Sequence, residues 1–172
     1  MHDERLGNLL GATALAVSDL MLAQVRSTGR VSASGAAAMV VLAHEPGLGA
    51  TELGRRVGLS QPATARMVDT LVAAGLVRRG PGQGRTVPVS LTPAGEEAVR
   101  EIRAARAAEL APVLAGLDRG ERRALAGLLE KVLASLYGRV GNAELLCRLC
   151  DRDCCTRRAT CPVGQAERDR AT

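Results

Sequence analysis

Aromatic side chains are almost missing from this 172-residue chain, which has no Phe, no Trp and a single Tyr. Its core must therefore be aliphatic, built from Ala, Leu, Val and Met. That scarcity disfavours a β-sandwich or barrel, whose strands prefer aromatic and β-branched residues. It also disfavours RNA or single-strand binding by base stacking. Histidine is scarce as well: His2 lies at the start and His44 ends an apolar run, where a surface or capping role is expected. No acid–base pair or nucleophile motif stands out, so the chain reads as a non-enzyme. Lysine occurs once, at Lys131, so nearly all of the 23 basic residues are Arg, the side chain suited to bidentate contact with phosphate or guanine. Against 18 acidic residues they leave a formal charge of +5. Cysteine is absent until Cys147, and all five cysteines then fall between Cys147 and Cys161.

The opening Met1-His2-Asp3-Glu4-Arg5 mixes charges, unlike the positive start of a signal peptide. Leu9 to Val17 is apolar, but Asp19 interrupts it, and no stretch reads as approaching the ~20 residues of a membrane span. The expected location is cytoplasmic, with no membrane partner. Thiols stay reduced there, and clustered cysteines bind metal or sense redox more often than they form structural disulfides.

The length suits one ordinary domain plus an appendage. Apolar residues at a helical period predict a first helix from Leu6 to Arg26. A second is expected over Ala33–His44 behind the N-cap Ser32, stopped by Glu45-Pro46-Gly47, and a third over Ala50–Val57 closed by Gly58. Ser60-Gln61-Pro62 opens a fourth helix whose inward stripe is Thr64, Met67, Val68 and Leu71, with Gly75 at its end. Leu76–Arg79 and Arg85–Leu91, joined by a Gly-rich tip, predict a β-hairpin, and Pro88 marks its second strand as an edge strand. Thr92-Pro93 caps a long helix to about Leu117. Asp118-Arg119-Gly120-Glu121 resembles a capping box and starts a last helix ended by Gly138 and Gly141.

Helix, short helix, helix and hairpin, in that order, describe a winged helix-turn-helix within a mainly α fold. The later helix of the motif enters the DNA major groove, and the hairpin wing reaches an adjacent minor groove. Arg66 lies on that recognition helix, and Arg78, Arg79 and Arg85 flank the hairpin tip. Asp69 is expected to pair with a nearby Arg rather than to touch DNA.

With these segments on the page, the chain resembles the MarR family of bacterial transcriptional regulators over roughly residues 6–140. The carriers are Thr51-Glu52-Leu53-Gly54-Arg55-Arg56-Val57-Gly58-Leu59-Ser60, Arg66-Met67-Val68-Asp69-Thr70-Leu71, Gly75-Leu76-Val77-Arg78-Arg79 and Leu91-Thr92-Pro93-Ala94-Gly95. The resemblance implies a homodimer joined through the first and the last two helices, bound to double-stranded DNA at a pseudo-palindromic operator. Half-sites would lie ~34–36 Å apart. Two features depart from the family pattern. Its wing carries Asp-x-Arg where this chain has Gln83-Gly84-Arg85, and the outward positions Ala63 and Ala65 are small. Candidate DNA-contacting residues are Ser60, Gln61, Pro62, Ala63, Ala65, Arg66, Arg78, Arg79, Gln83 and Arg85. The resemblance also implies a second possibility, a small aromatic effector bound between the dimer helices and the DNA-binding lobe.

Cys147-Arg148-Leu149-Cys150 is a C-x2-C knuckle, followed by Cys154-Cys155 and Cys161-Pro162. The candidate metal ligands are Cys147, Cys150, Cys155 and Cys161, with Cys154 the alternative to Cys155. Four thiolates and no nearby His select soft metals. An iron–sulfur cluster, [4Fe–4S] or [2Fe–2S], is the first choice, since a compact Cys run ending in Cys-Pro is similar to ferredoxin runs though not in spacing. Structural zinc is the alternative, and a thiol–disulfide switch the third. The chain thus divides into residues 1–30, a dimerisation helix; 31–92, the DNA reader; 93–141, further dimerisation helices; and 142–172, a Cys-rich tail. The expected function is a redox- or iron-responsive dimeric repressor.

Overall fold

The computed structural model describes residues 2–27, 31–82 and 87–171. Nine helices and three short strands run in the order α1 (His2–Ser27), α2 (Ala33–His44), β1 (Leu48–Gly49), α3 (Ala50–Val57), α4 (Gln61–Ala73), β2 (Val77–Arg79), β3 (Pro88–Leu91), α5 (Pro93–Ala115), α6 (Arg119–Val140), α7 (Ala143–Leu146), α8 (Arg152–Thr156) and α9 (Pro162–Ala171) among the described residues. The fold is mainly helical with a small antiparallel sheet, as its sequence predicts.

Local chemistry sets most boundaries. Ser32 accepts from the amide of Gly35 and Thr92 from that of Gly95, each satisfying a free N–H of a first helical turn. Asp118 and Glu121 form a complete capping box at the start of α6. Gly58 closes α3 in the left-handed region, at φ +73°.

Three expectations need correction. The sheet has three strands in the order β1-β3-β2, so β3 is central, not an edge. Pro88 is tolerated because it is the first residue of β3, where its carbonyl still accepts from Gly80 N–H at 2.8 Å. Gly138 lies inside α6, which continues to Val140 and stops at Gly141, at φ +64°. The first helix also carries more apolar sequence than expected. Within Asp3–Ala23 an 18-residue window has mean hydropathy 1.5, long and apolar enough by composition to cross a membrane. The charges of Asp3, Glu4 and Arg5 crowd into its first turns and leave only Asp19 between them and Ala23.

The main core joins α2, α3, α4, the sheet and the start of α5. Ala36–Leu42 of α2 are all buried, and Leu53, Val57, Met67, Val68, Leu71, Val77, Val89 and Val99 close around them. α1 lies against α2 and α5, yet Leu6, Leu9, Leu10, Leu15 and Leu20 stay exposed, as do Leu128, Leu129 and Leu136 of α6. A second, small core forms where α9 folds back along α6, burying Tyr137, Ala143 and Val163 beside Leu133, Leu146, Cys147 and Cys161.

Candidate nucleic-acid interface and cysteine cluster

α3 and α4 cross closely because Gly54 lacks a side chain. A Cβ there would stand 2.2 Å from Oγ1 of the buried Thr64, whose hydroxyl donates to the Ser60 carbonyl. That crossing presents the first turns of α4 to solvent. Ser60, Gln61, Pro62, Ala65 and Arg66 are exposed, and Ala63 is half-buried rather than outward. Ser60 has the extended backbone of an N-cap, but its hydroxyl makes no capping bond. The Gln61 amide donates to Thr51 Oγ1 at 3.2 Å, tying α4 to the first turn of α3.

On β2, Val77 turns inward while Arg78 and Arg79 stay exposed. Arg79 donates to Asp69 Oδ1 at 2.7 Å, which fastens the hairpin to α4 and gives Asp69 the structural role expected of it. Arg66 and Arg78 have no acidic partner among the described residues. They form the open cationic pair of this face, and Arg79 positions the wing. Gln83 and Arg85 lie outside the described residues.

The tail gathers its cysteines. Cys147, Cys150, Cys155 and Cys161 line one cavity of about 190 Å3, together with Glu144, Arg152, Thr156 and Glu167. Cys154 is exposed and does not line it. Three N-caps shape this segment: Asn142 for α7, Asp151 for α8, and Cys161 ahead of Pro162 for α9. In the last, the Gly164 amide donates to Cys161 Sγ at 3.4 Å, so this sulfur takes the place a Ser or Asp oxygen usually fills. All five thiols are unbridged.

Proximity perturbs their acidity. The Cys147 thiol donates to Cys150, which raises the Cys147 pKa, and burial raises it further. The same bond brings Cys150 down to about 6 against the opposing cost of burial, helped by the Arg106 guanidinium. Burial, then the charges of Cys150 and Cys161, push Cys155 up to about 11. Crowded thiols thus resist ionising together, and a bound cationic group would displace their protons.

Among the described residues no three His, Cys, Asp or Glu side chains are grouped as about one metal ion. Tetrahedral zinc at ~2.3 Å from each sulfur requires the sulfurs only ~3.8 Å apart. The cavity here, of about 190 Å3, equals roughly six water volumes. Its four-sulfur donor set suits soft metals. A second cavity, of about 460 Å3, lies between α1, α2, α5, α6 and the tail. Arg106 enters it with a buried Nε that lacks a hydrogen-bond partner, and Cys147 and Cys150 line both cavities.

His44 is neither a surface residue nor a cap. It is half-buried, and Arg103 Nη2 lies 2.8 Å from its Nε2. It also bonds the backbone of Cys150, and burial followed by Arg103 and Arg152 lowers its pKa. Further residues were not signalled by motif: Glu45, Arg56, Glu144 and Arg152 form ion pairs between the tail and the α2–α3 region. Partners so far apart in the chain leave no local pattern. Asn142, the N-cap of α7, was missed as well, although its capping contact reaches only to the Leu145 amide.

A model of the MarR family matches residues 31–86. An uncharacterized HTH-type transcriptional regulator of Mycobacterium bovis is 34% identical over 137 residues, spanning 73% of this chain and 96% of the relative. Among solved structures, a MarR family protein of Bacillus stearothermophilus superposes with a TM-score of 0.70 at 23% identity, over 78% of this chain and 95% of the other. The Mycobacterium tuberculosis MarR family protein Rv2887 in complex with DNA gives a TM-score of 0.62 at 27% identity, over 74% and 96%. The same protein has been solved with p-aminosalicylic acid, with a TM-score of 0.59 at 28% identity, over 74% and 97%.

Proposed function

From the premise that this chain belongs to the MarR family of helix-turn-helix transcriptional regulators, which are DNA-binding proteins and not enzymes, we propose that it is a homodimeric repressor whose operator affinity follows the state of its C-terminal cysteines. The observation that carries the DNA-binding face is the open pair Arg66 and Arg78, one on α4 and one on the wing, with the wing fastened to α4 by Arg79–Asp69. Gln61, Pro62, Ala65 and Arg66 would read major-groove edges, and Arg78 would meet the backbone or the minor groove. Gln83 and Arg85 extend the same wing in sequence. Dimerisation is supported by the apolar faces that α1 and α6 leave uncovered in the single chain. A second copy would hide them and set two recognition helices about one DNA turn apart.

For the cysteines we favour an iron–sulfur cluster held by Cys147, Cys150, Cys155 and Cys161, with zinc as the alternative. The four cysteines around one cavity and the Gly164 amide directed at Cys161 support it. When bound, a cluster supplies a centre whose redox state and integrity respond to oxidants and iron supply. The chain's own part is to gather the four sulfurs at one cavity, to set Arg152 beside them, and to pass their state to the helices they touch. A coupling of ~1–3 kcal/mol would change operator affinity roughly 5- to 150-fold.

The test uses DNA that the protein itself enriches from a random-sequence pool. Affinity is measured for anaerobically purified protein, for metal-stripped protein and for the Cys147→Ser/Cys150→Ser variant, alongside visible absorption and iron, sulfide and zinc assays. Brown protein with sulfide and a state-dependent affinity is expected. Equal affinities in all three would remove the sensing step and leave DNA binding standing.

The cavity of about 460 Å3 with Arg106 at its wall favours a second reading, an organic acid effector. Thermal shift with aromatic carboxylates, for native protein and Arg106→Leu, distinguishes it: an Arg106-dependent stabilisation supports this reading, and no shift removes it.

A further inference from the structure

The Cys-bearing segment does more than continue α6: it is braced against the DNA reader of its own protomer. Asn142 carries the central contact. Its Oδ1 accepts from the Leu145 amide at 3.0 Å and caps α7, while its Nδ2 donates to the Arg55 carbonyl at 3.1 Å. Arg55 lies in the last turn of α3, where helix carbonyls lack intrahelical partners. One side chain therefore joins the start of α7 to the end of α3. Beside it, Leu145 covers Gly58, the left-handed cap of α3, so closely that a Cβ on Gly58 would lie 3.1 Å from Leu145 Cδ1. Leu149 packs against the main core.

Charge adds a second set of links. Arg56 of α3 bonds Glu45 Oε1 at 2.7 Å and reaches Glu144 Oε1 at 4.0 Å. Arg152 of α8 pairs with Glu144 and reaches Glu45 Oε1 at 3.9 Å. Arg152 and Glu144 also line the thiol cavity. The chain of contacts thus runs from the cysteines through Arg152 and Glu144 to Arg56, and through Asn142 to Arg55. α3 in turn sets α4, through the Gly54–Thr64 crossing and the Thr51–Gln61 bond.

We infer that residues 142–152 form a strut that positions α3, with Asn142 and Arg152 as positioning residues for DNA reading. The strut rests on the DNA-binding reading and not on what the cysteine ring holds. It acts within one protomer, so the ring's state reaches the recognition helix without a rearrangement of the dimer helices.

Asn142→Asp isolates the contact. A carboxylate still caps α7, but it has no N–H for the Arg55 carbonyl and adds negative charge beside the C-terminus of α3. The full-length variant is compared with native protein for metal content, tyrosine emission from Tyr137, amide hydrogen exchange in residues 53–59, and affinity for the DNA that native protein enriches from a random pool. Metal content and emission are expected to stay at native values, since Tyr137 belongs to the small core of α6 and α9. Exchange at the end of α3 is expected to rise, and DNA affinity to fall, each about fivefold for one lost hydrogen bond. Arg152→Gln is expected to act in the same direction, and Arg152→Lys to restore most of the loss. Native exchange and native affinity in Asn142→Asp would overturn the strut, and so would loss of α3 protection only together with loss of the Tyr137 core. Failure of native protein to enrich any DNA would overturn the DNA-binding reading instead, and the exchange measurement would still decide the strut.

Discussion

α1 and α2 are made of the same material, Ala, Leu, Val and Met, and meet opposite surroundings. Every residue from Gly35 to Leu42 of α2 is buried within its own chain. Leu15 of α1 is 71% exposed and Leu6 63%. A helix apolar on all sides is stable in water only when it is enclosed. α2 finds its enclosure in α3, α4, α5 and the sheet, whereas α1 rests one side on α2 and α5 and leaves the rest open. The difference separates two kinds of apolar surface: one that folds the DNA reader, and one left uncovered in the single chain, which the proposed homodimer would hide.

The comparison can be broken at several points. The largest effect is expected at Leu53, fully buried in the main core. Leu53→Ala should cost about 2–5 kcal/mol in chemical denaturation, with dimerisation lost as a consequence. Next comes the α1 face, where Leu10→Arg with Leu15→Arg should leave helicity and the main core in place while sedimentation shows monomer. A dimer of native strength would mean that α1 is not reserved for a partner. Arg66→Ala should weaken DNA binding by about 1–3 kcal/mol without altering stability, measured by fluorescence anisotropy. Asp118→Ala, removing the capping box of α6, should cost about 1 kcal/mol in thermal denaturation.

The smallest effect concerns acid. Hydrogen bonds from Arg55, then Arg56, hold the Glu52 carboxyl down at about 2. A depressed carboxyl stabilises the fold above its unfolded value near 4.5, and that contribution disappears as pH falls from there toward 2. Because the Glu52 side chain is more than a third exposed, the effect is modest. Glu52→Gln should flatten the stability profile in that window, with a modest loss of stability at pH 7 and little change near pH 2.

Residues that act on near neighbours were legible before any coordinates. The caps at Ser32, Thr92 and Asp118–Glu121, the stop at Gly58, and the inward stripe Thr64, Met67, Val68 and Leu71 all depend on contacts within one or two turns. β1 escaped because two residues, Leu48 and Gly49, carry no periodicity. Missing it turned β3 into an apparent edge strand and gave Pro88 the wrong explanation. α7, α8 and α9 escaped because each is too short for an apolar stripe, although their N-caps were written in Asn142, Asp151 and Cys161.

Composition and local pattern alone determined an aliphatic helical protein with a winged reader, an Arg-rich face, and thiols confined to one segment. They work through short-range chemistry: caps, turns, side-chain period and net charge. Only the tertiary structure decided that Cys155 lines the thiol cavity while Cys154 does not, that Arg79 serves Asp69, and that the tail bears on α3. Those outcomes depend on which surfaces meet after the chain turns back on itself. Residues such as Asn142 and Arg55, 87 positions apart in the chain, become partners only then.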